Sequence, residues 1–349
     1  MPRGTSSARP LGDISVNFLR LLADTAQALG AAPDPVLRKY KIGEEDLQQS
    51  QARVSIQRYM RIGKELIDLS GRADLGLEMG ARMQVTTLGM PGYAAMTANS
   101  LEHAIRLAIM YERLASRNQQ GSSRYYREQL KNGSRDPDTN RRLHGVAQLY
   151  SLEPYNEYNH FVVDSTLAGW FTIARWLTGR SDIVDMIEVE YPQPEYAKAY
   201  RAFFGCPVHF GQSRNAVTFS ASALDLPSLY KHPVTHLQML GICDAALTRV
   251  NVEMTMAERV SDIIRSRLES GGISLTKTAD QLVTTPWSLR RQLAKEQTSF
   301  NALLDEVRRN RADFLLKTTD RSLTQISFEL GFANPASFHR ARRRWQSES

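Results

Sequence analysis

Several features that would place a chain in a particular class are scarce or missing in this sequence. The two cysteines, Cys206 and Cys243, have no neighbouring Cys or His at metal-ligand spacing, so neither a disulfide framework nor a structural zinc site is predicted. The longest apolar runs are short, such as LAIM at 107–110, and lie far below the length that spans a bilayer. The start, MPRGTSSARPLGD, contains no apolar stretch of signal-peptide length. We therefore expect a soluble cytoplasmic protein with no membrane partner.

Patterns typical of enzymes are also missing. No Ser/His/Asp order, paired-carboxylate motif or metal-ligand spacing is present, and His144, His160, His209 and His232 are scattered. The glycines of the first third do not match a nucleotide-binding fingerprint and are interpreted as tight turns. An enzyme with a basic adaptor domain is thus the weaker hypothesis, and no cofactor or metal is expected.

The length and the charge distribution point to two domains and a polyanionic partner. A chain of 349 residues is long for one core. From residue 256 onward there are 16 Lys and Arg against 11 Asp and Glu, or +5 of the total net charge of +7. The remaining 28 basic residues and 26 acidic residues nearly cancel in the first 255. This asymmetry favours binding of nucleic acid by the C-terminal quarter.

The first 235 residues read as a mixed α+β domain behind a disordered tail at 1–12. Apolar residues at helical spacing predict helices, and runs rich in β-branched residues ended by proline or glycine predict strands. The polar stretch 118–160 is interpreted as turns joining short strands. The predicted helices cover 13–30, 54–69, 100–117, 165–180 and the segment PEYAKAYRAFFG, and the predicted strands lie in 182–194 and in NAVTFSAS. A helix at 236–255 is expected to link this domain to an all-α domain at 256–349.

Two helix-turn-helix units are predicted in the all-α domain, at 274–297 and 322–345. In the first, SLTKTADQL and WSLRRQLAKEQ flank the turn VTTP, with Pro286 suited to the first helical position. In the second, Gly331 supplies a left-handed stop and Asn334 can cap the next helix, PASFHRARRRW. The second helix of such a pair fits a major groove. The four arginines at 340–344 are interpreted as part of a helix that contacts DNA; the alternative is that they only form a basic helix end exposed to solvent.

These residues carry a family resemblance. The stretches LRRQLAKEQTSFNALLDEVRRNRADFLL and SLTQISFELGFANPASFHRARRRW resemble the DNA-binding domain of the AraC/XylS family of bacterial transcription regulators. The resemblance implies a homeodomain-like double helix-turn-helix that enters successive major grooves of double-stranded DNA. By position it implies base contacts from Trp287, Arg290, Arg291, Ala336, His339 and Arg340. Lys295, Arg343 and Arg344 are the corresponding phosphate-contact candidates.

The sequence departs from the family pattern in three places. Gln297 stands where a glycine is usual, and Arg342 stands where the family usually has a buried aromatic residue. The chain continues for four residues after Trp345, without the usual closing element of the family. These departures predict an altered turn after the first helix-turn-helix and a second helix-turn-helix that is less firmly docked.

The N-terminal region has its own resemblance. The segments LGLEMGARMQVTTLGMPGYAAMTANSLEHAIRLAIMYERL and FFGCPVHFGQSRNAVTFSASALDLP resemble the effector-binding and dimerisation domain of the ornithine- and arginine-type AraC regulators. The resemblance implies a homodimeric activator that contacts RNA polymerase and responds to a small-molecule effector. Tyr125, Tyr126, Trp170 and Phe171 are candidate effector-binding residues, although an aromatic stripe at helical spacing is more often core. A regulator that has lost its effector and acts by abundance remains the alternative.

Overall fold

The computed structural model describes residues 12–49, 51–118, 121–129, 143–152, 154–253, 255–268, 273–318 and 321–347. The predicted tail at 1–12 lies outside the described residues except for Gly12. The chain divides into two compact units, Met1–Thr248 and Arg249–Ser349. This confirms a two-domain protein, and each unit is described by itself.

The first unit combines helices with short strands, as the sequence predicts. Its helices are α1 (Val16–Ala28), α2 (Pro33–Lys39), α3 (Glu44–Gln48), α4 (Ile56–Ser70), α5 (Leu75–Ala81), α6 (Met90–Met96), α7 (Leu101–Met110), α8 (Glu112–Ala115), α9 (His160–Thr178), α10 (Ala197–Phe204) and most of α11 (Pro233–Glu253), with a short 3-10 helix at Val85–Leu88. Its strands are β1 (Gly12–Ser15), β2 (Arg53–Ser55), β3 (Ser116–Asn118), β4 (Arg124–Glu128), β5 (His144–Leu149), β6 (Val184–Glu188), β7 (Val208–His209) and β8 (Asn215–Phe219).

The strands form two sheets. The small sheet has the order β2-β1-β3 and is antiparallel, with Ile14 opposite Val54 on one side and Ser116 on the other. The larger sheet has the order β4-β5-β8-β6-β7, antiparallel except for the β6–β7 pair. Every residue of β5 and β8 is buried, as expected for central strands. Helix α9 packs against β8 and contributes Phe171 and Leu167 to the core beneath the sheet.

Two predicted helices differ from the structure. The segment 13–30 begins as strand β1, so Ile14 belongs to a sheet and the helix starts at Val16. The segment 100–117 breaks after Met110 into α7, α8 and strand β3. Both errors have one cause: β1 pairs with residues about 40 and 100 positions away, and periodicity within a window does not report such pairing.

Helix α9 carries a buried carboxylate that fastens it to the neighbouring α10 segment. Asp164 is fully buried and accepts hydrogen bonds from the hydroxyls of Tyr191, Tyr196 (2.8 Å) and Tyr200 (2.5 Å). Burial raises the pKa of Asp164 to about 6, although the three hydroxyl donors act in the opposite direction. The carboxyl group is therefore satisfied in its hydrogen bonds but disfavoured as a charge.

The second unit is helical throughout its described residues. It contains α12 (Met256–Arg267), α13 (Leu275–Gln281), α14 (Pro286–Lys295), α15 (Phe300–Thr318), α16 (Leu323–Glu329) and α17 (Pro335–Ser347). One buried cluster joins these helices, and α15 contributes Phe300, Leu303, Val307, Ala312 and Leu315 to it. The central helix thus shares a single core with the helices before and after it.

Helix α11 crosses the division between the units and covers most of the segment 236–255 that the sequence assigns to a linking helix. The exact domain limits stay predictions. No helix among the described residues combines the length and apolar character that crossing a membrane requires.

Candidate nucleic-acid interface

The first helix-turn-helix is built by α13 and α14. Ser274 Oγ accepts the amide of Lys277 at 3.2 Å and starts α13, and Thr285 Oγ1 accepts the amide of Ser288 at 3.1 Å and starts α14. Pro286 occupies the first turn of α14, where its missing N–H has no helical partner to lose. Between the helices Val283 adopts a left-handed backbone with φ +53°, which lets the chain reverse direction within four residues.

Helix α14 separates an inner face from an outer face. Leu289 and Leu293 are completely buried and hold the helix on the core. Trp287, Arg290, Arg291 and Lys295 are exposed, as the sequence predicts for DNA contacts. Trp287 is 67% exposed, and the guanidinium of Arg291 lies 5.1 Å from the centre of its ring. This cation–π contact holds the long arginine side chain along the outer face.

The second helix-turn-helix repeats this construction with α16 and α17. Ser322 and Gln325 form a capping box at the start of α16. Gly331, with φ +68°, provides the left-handed turn as predicted, and a Cβ there would lie 3.1 Å from the carbonyl oxygen of Leu268. Asn334 Oδ1 accepts the amide of Ser337 at 2.9 Å and starts the last helix.

The outer face of α17 matches that of α14 position by position. Pro286 and Pro335 open the two helices, 49 residues apart in the sequence. At the same spacing, Ala336, His339, Arg340 and Arg344 of α17 correspond to Trp287, Arg290, Arg291 and Lys295 of α14, and all eight are exposed. Arg343 is exposed as well. The structure therefore brings every predicted base-contact and phosphate-contact residue onto the outer faces of two equivalent helices.

Arg342, on α17, is one of the positions at which the second helix-turn-helix departs from the family pattern. It stands 49 residues after the buried Leu293 but is half-buried. The inner face of α17 uses Phe338, Ala341 and Trp345 instead. Trp345 is 4% exposed, and its Nε1 donates to Asp305 Oδ2 of α15 at 2.9 Å. Trp345 thus attaches the end of α17 to α15.

Arg308, for which the sequence carries no local signal, joins α15 to the turn between α16 and α17. Its Nε donates to the carbonyl of Leu330 at 2.9 Å, and its second terminal nitrogen donates to the carbonyl of Gly331 at 2.6 Å. Its guanidinium also lies 4.2 Å from the centre of the Phe332 ring. These carbonyls close α16, where backbone acceptors lack helical partners. Arg308 therefore fixes the entry to α17 relative to the central helix.

Glu296 has a comparable role after the first helix-turn-helix, at the end of α14. Its two carboxylate oxygens accept the amides of Met256 (2.8 Å) and Ala257 (2.7 Å) at the start of α12, where a negative charge is favoured. The next residue, Gln297, has φ +57°, so the position that usually holds glycine still has a left-handed backbone. The backbone after α14 therefore does not show the altered turn that Gln297 predicts.

Comparison with known proteins places this architecture in a family. A model described as the arabinose-binding domain of AraC transcription regulators, N-terminal, matches residues 30–228. A model described as a helix-turn-helix domain matches residues 278–349. The first match alone covers more than half of the chain. The protein belongs to the AraC family of transcription regulators. It is a DNA-binding regulator and not an enzyme, as its sequence predicts.

Two relatives and one solved structure align with most of the length of this AraC-family regulator. It is 26% identical over 334 residues to the ornithine utilization regulator of Pseudomonas aeruginosa, covering 95% of this chain and 93% of the relative. It is 24% identical over 324 residues to the HTH-type regulator VirS of Mycobacterium tuberculosis, covering 92% and 90%. Among solved structures, the transcriptional regulator CdpR of Pseudomonas aeruginosa aligns over 95% of both chains, with 21% identity and a TM-score of 0.44.

The four predicted effector residues do not come together in the first unit. Tyr125 donates to Glu102 at 3.0 Å, whereas the adjacent Tyr126 donates to Gln148 at 2.9 Å, because neighbours on a strand point to opposite faces. Phe171 is buried among core aromatic rings. Trp170 lines an apolar cavity whose lining does not include Tyr125, Tyr126 or Phe171. Among the described residues no group of three or more His, Cys, Asp or Glu side chains is placed to hold a metal ion.

Proposed function

We propose that this AraC-family regulator binds two half-sites in successive major grooves of double-stranded DNA, through α14 and α17. The observation that carries the proposal is the matching outer faces of two helices fixed to one core. Helix α15 has 19 residues and so spans about 28 Å. That length is comparable to the ~34 Å between equivalent major-groove positions one helical turn apart.

The side chains divide into base-reading and phosphate-binding groups. Arg291 and Arg340 occupy equivalent outer positions and carry the fork that reads guanine, while Trp287 offers an apolar surface to thymine methyl groups. Arg344 is paired with Asp305, so much of its charge is neutralised. Among the described residues Arg343 makes no ion pair, and we assign it to a phosphate. Lys295 is assigned to a phosphate on the first half-site.

The test is fluorescence anisotropy on DNA from upstream of the protein's own gene and its neighbours, with scrambled DNA as the comparison. Arg291→Ala should cost on the order of 1–3 kcal/mol on the specific site and little on scrambled DNA. Arg201→Ala, an exposed arginine on α10 of the first unit, is the charge-matched control. Equal losses on both DNAs for Arg291→Ala would make it a phosphate contact and would contradict the assignment.

We further propose that a small-molecule effector bound in the first unit controls the regulator, that it acts as a homodimer, and that it activates transcription through RNA polymerase. The match to an arabinose-binding domain and the relative named for ornithine utilization support an effector. L-arabinose and L-ornithine are therefore the first compounds to add to the anisotropy assay, followed by pooled metabolites. Unchanged DNA affinity and unchanged thermal stability across all pools would favour control by abundance.

The dimer and its effect on transcription need separate measurements. Sedimentation equilibrium at micromolar protein should give twice the monomer mass of 39.4 kDa. Transcription in vitro with purified RNA polymerase and a template carrying the bound site should rise on addition of the regulator. A monomer at all concentrations, or a fall in transcription, would contradict these parts of the proposal.

A further inference from the structure

The first unit contains an apolar cavity between α7, α9 and the larger sheet. It is lined by Leu88, Ala95, Leu101, Ala104, Ile105, Ala108, Ile109, Trp170, Ile173, Ala174, Leu177 and Phe219. The 3-10 helix and α6 contribute Leu88 and Ala95, α7 contributes five side chains, α9 contributes four, and Phe219 closes the side of β8.

The lining decides what kind of molecule can enter. Eleven of the twelve side chains are hydrocarbon, and the indole N–H of Trp170 is the one polar side-chain group. A pentose or a diamino acid would lose its hydrogen bonds to water without replacement, at about 1–3 kcal/mol per neutral group and more per charge. Such polar compounds are therefore excluded from the interior of the cavity.

The size and opening narrow the ligand further. The volume of the cavity is about 30 Å³. By the same measure, one water molecule needs roughly 10–15 Å³. It therefore holds a few carbon atoms. Ile105, Ala108, Ile109 and Trp170 are half-buried, whereas Ala104, Ala174 and Phe219 are buried. The cavity thus reaches the surface between α7 and the Trp170 side of α9.

We infer that this cavity is the effector subsite and that it takes a small apolar group of a few carbon atoms, such as a short alkyl chain. Any polar end of the effector stays at the mouth, in contact with water. The inference rests on the proposed effector control and narrows it to a chemical class. It also distinguishes this domain from one that binds the free sugar of the family description.

The walls of the cavity also support α11. Ala95, Ala104, Ile173 and Leu177 line the cavity and belong to the buried cluster that receives Met239, Leu240, Cys243 and Leu247 of α11. Tyr111, at the end of α7, donates a 2.6 Å hydrogen bond to Asp244 of the same helix. A group that fills the cavity presses on helices that hold α11, and α11 continues past the division between the units.

The test measures binding of 1-propanol and 1-butanol, whose alkyl chains match the cavity and whose hydroxyl can stay at the mouth, to the full-length protein by the melting temperature of the first unit. At ten times its dissociation constant, a ligand of the native state should raise that temperature by on the order of 3 °C. Ala108→Leu fills the mouth from a half-buried position and should abolish the shift. Ala199→Leu, a half-buried alanine on α10 outside the cavity, should leave the shift unchanged.

A gain-of-binding variant guards against a folding defect. Ile105→Ala enlarges the cavity, so benzene should stabilise this variant and fail to stabilise the wild-type protein. An absence of any shift with 1-propanol and 1-butanol, or an equal shift in the Ala108→Leu variant, would overturn the assignment of the cavity.

The same samples separate the two proposals. Specific DNA binding without any apolar-ligand shift would leave the proposed regulator standing and remove the cavity inference. A ligand shift that Ala108→Leu abolishes, together with DNA affinity that no ligand changes, would establish the apolar site and refute its role in effector control.

Discussion

Replacement of Val283 should stabilise the second unit, although it removes an apolar side chain. Val283 has φ +53° and is 93% exposed, so it contributes almost no burial. A left-handed backbone costs an ordinary residue roughly 1–2 kcal/mol, and β-branched residues tolerate it least. Glycine removes that cost but loses roughly 0.5–1 kcal/mol through the greater freedom of the unfolded chain. We expect Val283→Gly to gain about 0.5–1 kcal/mol, and Val283→Asn about 1 kcal/mol.

The assay is differential scanning calorimetry of the full-length protein, following the transition of the second unit. For a domain of about 100 residues, 1 kcal/mol corresponds to roughly 4–8 °C in melting temperature. Gly331→Val is the reciprocal control: it places the same side chain in the equivalent turn, where its Cβ meets the carbonyl of Leu268, and it should lower the melting temperature. A fall in melting temperature for both Val283 variants would refute the argument from backbone strain.

Three further changes test other contacts. Arg308→Met should cost about 2–3 kcal/mol in urea unfolding of the second unit, since it leaves the carbonyls of Leu330 and Gly331 without their charged donor; a loss below 0.5 kcal/mol would contradict this role. Arg343→Ala should reduce the slope of log affinity against log salt by about one on specific and scrambled DNA alike, whereas an unchanged slope would show a solvated side chain. The pKa of Asp164 is raised to about 6 in the native state, whereas its pKa in the unfolded chain is about 3.9. Its contribution to the free energy of unfolding is therefore fully present below about pH 3.9 and is lost as the pH rises through 6, by up to roughly 3 kcal/mol. Asp164→Asn should remove that component, and parallel pH–stability curves for the two proteins would refute it.

The second unit was largely predictable because its signals are local. Caps at Ser274 and Asn334, the proline at 286 and the stop at Gly331 all act within four residues of where they stand. The exposure of Arg291 and Arg340 follows from helical period alone. The left-handed Val283 gave no such signal, because a β-branched residue is uncommon in that conformation.

Contacts that depend on tertiary structure could not be read from the sequence. Arg308 and Glu296 bond to backbone groups 22 to 40 residues away. Strand β1 exists because of two partners distant in the chain, and its residues otherwise continue a helical period. Aromatic character predicts Tyr125, Tyr126, Trp170 and Phe171 as effector residues, yet the cavity is lined mainly by alanine, leucine and isoleucine, which are ordinary core residues in any sequence.

The single core along α15 has a consequence for the DNA that this regulator can use. Because Leu303, Val307 and Leu315 lie in one buried core with helices of both helix-turn-helix pairs, the proposed binding through α14 and α17 requires a fixed distance and rotation between the two half-sites. An operator lengthened by five base pairs between its half-sites turns the second half-site to the opposite side of the duplex. In the proposed binding mode, a base substitution in the operator weakens single contacts, whereas an insertion or deletion between the half-sites is expected to remove all contacts of one of the two helices.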